Sequence, residues 1–184
     1  MDNPIGVLKI RIKRGLNLAV RDSKASDPYV VIKTDKLVTT LLFLFSFYSV
    51  TFAMRVKTRF VKKDCNPEWD EEFDFPIYDP ELPVRVKVYD HDTFTLDDKM
   101  GYAEIDVKPI LEALNMTKEN HHPSGTVLTT IQPIRTNFLA EESNIMWENN
   151  KIFQEMCLRL RMVERGLVEL EVTWINNPDP GSNT

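Results

Sequence analysis

Five aspartates fall in two short clusters: Asp22 and Asp27 within RDSKASDPYV, then Asp90, Asp92 and Asp98 within VYDHDTFTLDDKMG. Each cluster follows a run of alternating apolar residues. That order predicts several carboxylates gathered at one end of a β-sheet protein, where a cation would relieve their mutual repulsion. Ca²⁺ takes roughly six to eight hard oxygen ligands in a forgiving geometry, and aspartates on loops supply them. The spacing is not that of an EF-hand loop. Counted from Asp90, the fifth, sixth and twelfth positions hold Phe94, Thr95 and Gly101, where that loop wants Asp or Asn, then Gly, then Glu. A glycosyltransferase-type D-x-D needs a nucleotide-binding α/β domain around it, and the pattern of this chain offers none. A single aspartate commonly caps a turn; five at these spacings favour a shared ion.

The elements that must position these residues are strands. In VLKIRIKR, Leu8, Ile10 and Ile12 alternate with Lys9, Arg11 and Lys13, and in VRVKVYD, Val84, Val86 and Val88 alternate with Arg85 and Lys87. FDFPI puts Phe73, Phe75 and Ile77 on one side. LRLRM sets Leu158, Leu160 and Met162 inward against Arg159 and Arg161, and LVELEVTWI sets Val168, Leu170, Val172 and Trp174 against Glu169 and Glu171. DPYVVIK reads as a more fully buried strand, and RVKTRFV as its neighbour. Many short strands separated by turns predict an antiparallel β-sandwich. One helix is predicted over residues 108–116, with Pro109 near its start and Ile110, Leu111 and Leu114 at helical spacing. From about 117 to 156 periodicity is weak, and clear strands resume at Cys157.

One stretch breaks the pattern. Residues 38–54 read VTTLLFLFSFYSVTFAM, 17 residues without a charge, where a sandwich needs only a tight hairpin. A membrane-spanning helix there would pull two neighbouring strands to opposite sides of a bilayer. The remaining readings are an apolar loop dipping into lipid and foreign sequence, such as translated intron, hanging from the domain; the second is favoured. Either is a large exposed apolar patch.

The net charge of −5 conceals a division. Residues 1–63 hold 13 Lys/Arg against 4 Asp/Glu, a balance of +9, and the remainder holds 10 against 24, a balance of −14. A basic first third points to an anionic partner. Cys65 and Cys157 share no motif and read as free thiols of a reducing compartment. The opening MDNPIGVLKI has no apolar core or cleavage site of a signal peptide. His91, His121 and His122 have no zinc spacing, and no nucleophile–base pair or phosphate loop stands out, so no catalysis is expected.

Three fragments, SDPYV after an upstream Asp, NPEWDEEFDF, and VYDHD followed by DDKMG, together resemble a C2 domain, and the likeness covers most of the chain. It implies an eight-stranded antiparallel β-sandwich whose apical loops bind Ca²⁺ through Asp22, Asp27, Asp90, Asp92 and Asp98. Main-chain carbonyls of Arg21 and His91 would complete the shell. Asp97 is an alternative to Asp98, although the family's usual spacing selects Asp98. Pro67 and Trp69 in NPEW would serve packing. A narrower likeness, carried by VLKIRIKRGLNLAVRDSKASDPYVV, KPILEALNM, PSGTVLTTIQPIRTNFLAEESNIMW and LRLRMVERGLVELEVTWI, is to the small plant C2-domain abscisic-acid-related proteins. It implies one C2 domain over residues 1–184, with a family-specific insertion over 108–156. It also implies Ca²⁺-dependent phospholipid binding, recruitment of abscisic-acid receptors to the membrane through the insertion, and, for some members, stimulation of a GTPase or ATPase. The apolar stretch 38–54 departs from that pattern.

These readings together predict an adaptor that docks receptor proteins on an anionic bilayer. Two Ca²⁺ would take the formal charge from −5 to −1, all at the loop tips. A second lipid contact is expected from Arg55, Lys57 and Arg59 on one strand and Arg85 and Lys87 on another, if the two strands are neighbours; a solvated outer face is the competing reading. Each such cation contributes about 1 kcal/mol at an anionic surface. No aromatic platform interleaves with these cations in sequence, which argues against nucleic acid. Phe94 is the candidate for insertion into lipid. The alternatives are a regulator of a GTPase or ATPase partner and an inactive, mis-spliced paralogue. Direct activation through the zinc module of plant Arf GTPase-activating proteins would need a C-x-x-C site that the sequence lacks. The expected location is cytoplasmic and peripheral to the plasma membrane, with access to the nucleus for a protein this small when detached.

Overall fold

A computed structural model describes residues 3–21, 26–40, 48–119 and 122–176. Ten strands and one helix are present among them, in the order β1 (Gly6–Leu16), β2 (Pro28–Thr40), β3 (Tyr48–Lys57), β4 (Glu68–Ile77), β5 (Val84–Asp90), β6 (Asp98–Ile105), α1 (Lys108–Glu119), β7 (Thr126–Ile131), β8 (Ser143–Glu148), β9 (Lys151–Arg159) and β10 (Leu167–Asn176). They form two antiparallel sheets, a six-stranded one in the order β4-β1-β10-β9-β8-β7 and a four-stranded one in the order β3-β2-β5-β6. The antiparallel β-sandwich expected from period-two alternation is therefore what the chain forms. Its sheets face one another across a core built from the alternating positions, among them Leu8, Ile10, Ile12, Val30, Ile32, Val84, Val86, Val88, Val168, Leu170 and Val172. Trp69 is fully buried, and its indole N–H donates to the Pro28 carbonyl at 3.3 Å, tying β4 of one sheet to β2 of the other. A buried aromatic of that size contributes roughly 2–3 kcal/mol of hydrophobic free energy.

The strands beyond eight come from the weakly periodic region. There β7 and β8 form a hairpin that widens the larger sheet, and β9 begins at Lys151, six residues before the strand expected at Cys157. The reason is polar material turned inward. Gln154 on β9 is buried, and its amide donates to Ser143 Oγ at 2.8 Å, while Ser143 Oγ donates to the Glu155 carbonyl. A buried glutamine within the strand hides the apolar period. The helix α1 extends the predicted 108–116 by about one turn, with Ile110 and Ala113 buried. Leu158 and Leu160 are buried as expected, but Met162 is not. β9 has ended at Arg159, and Met162 has a left-handed φ of 60° and is 86% exposed.

The apolar stretch 38–54 is not a loop over its described part. Its ends continue β2 and β3 as a paired ribbon out to Thr40↔Tyr48, beyond the last β2–β5 pair at Lys33↔Arg85. Its centre, residues 41–47, lies outside the described residues. No described helix is long and apolar enough to cross a membrane.

Candidate functional site

Register fixes which loops share an end. Pro28 pairs with Asp90 and Asp90 with Asp98 in the smaller sheet, while Leu16 pairs with Leu167 and Leu167 with Arg159 in the larger one. The connections 17–27, 58–67, 91–97 and 160–166 therefore emerge together, and four of the five predicted aspartates, Asp27, Asp90, Asp92 and Asp98, stand on this end. Asp22 lies outside the described residues.

The first and third of these loops hold each other. Asp27 donates its N–H to Asp90 Oδ1, and His91 donates its N–H to the Asp27 carbonyl at 3.0 Å. The other oxygen-bearing groups of the loop are arranged by short bonds. Asp27 Oδ1 accepts from the Lys63 N–H at 2.8 Å, reaching into loop 58–67. Buried Ser26 accepts the Arg21 N–H at 2.9 Å and turns its own hydroxyl toward the Ala19 carbonyl, closing the first loop upon itself. Ser26 is a positioning residue the sequence did not reveal; a hydroxyl beside an aspartate carries no distinctive spacing.

Asp90 is buried, whereas its cross-strand partner Asp98 is exposed. Like charges directly opposite in an antiparallel pair are unfavourable, so this pairing of two aspartates brings no stability of its own to the fold. Asp97 is engaged otherwise. Its carboxylate accepts from Tyr29 Oη and from the Asp92 N–H at 3.0 Å and faces His91 Nδ1 at 3.4 Å. The Tyr29 hydrogen bond, then the Asp92 N–H, hold Asp97 below the usual carboxylate range, while burial and that same bond push the Tyr29 phenol up. The oxygens at this end are of the hard type Ca²⁺ prefers, so the chemistry of the donor set suits that ion. Among the described residues, which leave out Asp22, no three Asp, Glu, His or Cys side chains are grouped closely enough to hold a metal ion.

Arg21, expected to offer its carbonyl, also uses its side chain. Its guanidinium grips both Glu164 carboxylate oxygens at 3.0 Å and donates from Nε to the Lys99 carbonyl at 3.1 Å. The tip carries two large exposed apolar side chains, Phe94 at 97% and Leu96 at 92%.

The expected basic face is only partly as read. β3 and β5 are not neighbours, because β2 lies between them. That inserts Lys33, which pairs with Arg55 on one side and Arg85 on the other, while Lys57 and Lys87 flank Val31. Arg59 does not belong to this face. β3 ends at Lys57, and Arg59 turns to β4, bonding Glu71 at 3.1 Å and the Glu68 carbonyl at 3.0 Å. Arg85 is paired with Glu104 at 3.3 Å. Aromatic rings do interleave in space: Tyr29 and Tyr89 stack at 5.7 Å, with Lys57 Nζ 5.7 Å from the Tyr29 ring. Tyr29 is buried, so it is no open platform for a base.

Comparison with known proteins agrees with this architecture. The C2 domain family matches residues 6–124. Among solved structures, the calcium-bound tandem C2 domains of Extended-Synaptotagmin 2 superpose with a TM-score of 0.59 at 18% identity, over 96% of this chain and 48% of that one. The chain is 42% identical to the GTPase activating protein 1 of Oryza sativa subsp. indica, over 95% of this chain and 94% of that relative. It is 49% identical to Protein C2-DOMAIN ABA-RELATED 3 of Arabidopsis thaliana over 178 residues, 97% of this chain and 95% of the relative. Identity at that level across almost the whole length makes this chain a C2 domain belonging to the C2-domain ABA-related family.

Proposed function

We propose that this protein is a Ca²⁺-dependent adaptor that docks on anionic phospholipid and brings partner proteins, abscisic-acid receptors first among them, to the membrane. The observation that carries it is the convergence of Asp27, Asp90, Asp92 and Asp98 on the end that also exposes Phe94 and Leu96. Ca²⁺ would be held by these carboxylates with Asp22 and the carbonyls of Arg21 and His91, and when bound it supplies positive charge that lipid phosphate can share. Without it, the carboxylates repel an anionic surface and keep the apolar tip in water. Lipid and ion then strengthen each other's binding, so Ca²⁺ affinity rises when vesicles are present. Lys33, Arg55, Lys57, Arg85 and Lys87 offer a second contact to anionic headgroups along the side of the smaller sheet.

Partner docking falls to the region 108–156, which packs as α1 with the β7–β8 hairpin and leaves Met116, Val127 and Ile134 exposed. The site of action is the cytoplasmic face of the plasma membrane, with passage to the nucleus when detached. The test is vesicle sedimentation in Ca²⁺ and in chelator. Asp22→Ala combined with Asp27→Ala should abolish the Ca²⁺-dependent fraction while the fold survives; retained sedimentation would sink the metal site. A second reading, stimulation of a GTPase partner, is favoured by the name of the rice relative. A turnover assay with a candidate GTPase, with and without this protein, decides it.

A further inference from the structure

The loop 160–166 between β9 and β10 has no place in the Ca²⁺ chemistry, yet it leaves the sandwich on the same end as the aspartates. It is tightly held. Leu160 donates its N–H to the Gly166 carbonyl at 3.0 Å, and Arg161 and Tyr102 exchange backbone bonds at 2.8 and 3.1 Å. Val163 lies so close over Gly101 that a Cβ there would come within 2.6 Å of it. Glu164 is gripped by Arg21 from the first aspartate loop, which also reaches the Lys99 carbonyl next to Asp98. The loop is thus fastened to the first aspartate loop and to β6, the strand that begins at Asp98.

Within this packed turn one large apolar side chain is directed outward. Leu160 is buried and Val163 packs on the core, but Met162 is 86% exposed. Its φ of 60° is a conformation non-glycine residues rarely adopt, and hydrogen bonds on both sides impose it. Arg165, three residues further along the loop, is exposed, as is Lys99 on β6, and the Glu164 charge is met by Arg21. An exposed apolar side chain on a loop that also exposes a cation matches an anionic bilayer surface, whose headgroups take the charge and whose acyl boundary takes the thioether.

We propose that Met162 and Arg165 form a second lipid-inserting point, carried on the larger sheet, opposite the Phe94–Leu96 tip carried on the smaller one. Two anchors on different sheets fix the tilt of the domain, and with it the direction in which region 108–156 faces. This rests on the membrane-docking reading above and adds a loop that holds no ion.

The experiment uses the full chain and vesicles of phosphatidylcholine and phosphatidylserine bearing brominated acyl chains, with Ca²⁺ or chelator. Met162→Trp and Phe94→Trp are compared with the parent, whose Trp69, Trp147 and Trp174 set the background. The expected result is Ca²⁺-dependent quenching of the introduced indole in both variants. Met162→Asp should weaken vesicle affinity about three- to tenfold, with Ca²⁺ binding in the absence of lipid and the thermal midpoint unchanged. Quenching in Phe94→Trp but not in Met162→Trp overturns the second anchor and leaves the docking reading standing. Absence of quenching in both, with no sedimentation of the parent, overturns both. Self-association of the parent that Met162→Asp abolishes, without quenching, would make the loop an interface between copies and overturn the lipid assignment. If Met162→Asp fails to fold, the quenching comparison alone decides.

Discussion

Asp97 and Asp98 adjoin in sequence, and the structure gives them different work. Asp97 is bound by Tyr29, by the Asp92 N–H and by His91, so its carboxylate shapes loop 91–97. Asp98 is exposed and stands opposite Asp90. Asp97→Asn should therefore lower folding stability by about 1.5 kcal/mol, the lower end of the usual scale for hydrogen bonds to a charged group. Asp98→Asn should not do so in chelator: removing a like charge from the cross-strand pair with Asp90 leaves stability unchanged or raises it by up to about 1 kcal/mol. It should then cost the protein its Ca²⁺-dependent vesicle binding. Urea unfolding in chelator, beside sedimentation in Ca²⁺, separates the two. A stability loss in Asp98→Asn equal to that in Asp97→Asn would remove the distinction. That Asp27, Asp90, Asp92 and Asp98 share one end was legible, since acid pairs after alternating strands form a recognisable pattern. Ser26, which closes the first loop, and the Tyr29 phenol that occupies Asp97 were not, because both depend on contacts that sequence spacing does not encode.

At the scale of the element, alternation revealed the strands but not their order. Lys57 and Lys87 do share one outer face, yet the strand joining them is β2, so Lys33 belongs to that face and was missed. Arg59 was assigned to it wrongly, because the bend after Lys57 that sends it to Glu71 leaves no mark in an R-x-K-x-R repeat. The outer face of the larger sheet follows its sequence more closely. Lys9, Arg11 and Lys13 on β1 meet acids of β4, β9 and β10, with Lys13 Nζ at 2.9 Å from Glu155 and 2.6 Å from Glu171. Glu171, then Glu155, raise the Lys13 pKa above its ordinary 10.5, and Lys13 lowers that of Glu155 below its ordinary 4.5. The Lys13 contribution is complete below 10.5 and fades as pH rises through the raised value. The Glu155 contribution is complete above 4.5 and fades as pH falls through the lowered one. Lys13→Met should cost at most about 1 kcal/mol, since these are partly exposed pairs screened by water and salt. The loss should be level between about pH 5 and pH 10 and shrink outside that window. Denaturant midpoints of both proteins across pH test it, and a deficit that persists at pH 3 would show that the packing of the Lys13 stem matters rather than its charge.

The whole molecule is a sandwich with its aspartate loops at one pole and the β2–β3 ribbon running toward the other. On the proposed function, that polarity ties ion binding to folding. The loops that carry Asp27 and Asp90 clasp each other, and the first is fastened through Arg21 to the connection between β9 and β10. An ion bound between them favours only the state in which both sheets are assembled. A ligand with no affinity for the unfolded chain stabilises by about 2.7 kcal/mol at a hundredfold excess over its dissociation constant. For a domain of this size that amounts to a rise of roughly 5–10 °C in the melting midpoint. Calorimetry of the full chain should therefore show the midpoint climbing with Ca²⁺ and returning on chelation. Mg²⁺ should do less, because it demands a smaller, stricter octahedron and gives up its water reluctantly. Vesicles with phosphatidylserine should lower the Ca²⁺ concentration at which the rise begins, through the coupling between ion and lipid. Asp22→Ala with Asp27→Ala should give a midpoint that no longer responds to Ca²⁺. An unresponsive midpoint in the unmodified protein, with Ca²⁺ in millimolar excess, would mean that the acidic pole binds no ion, and the electrostatic trigger for docking would be lost with it.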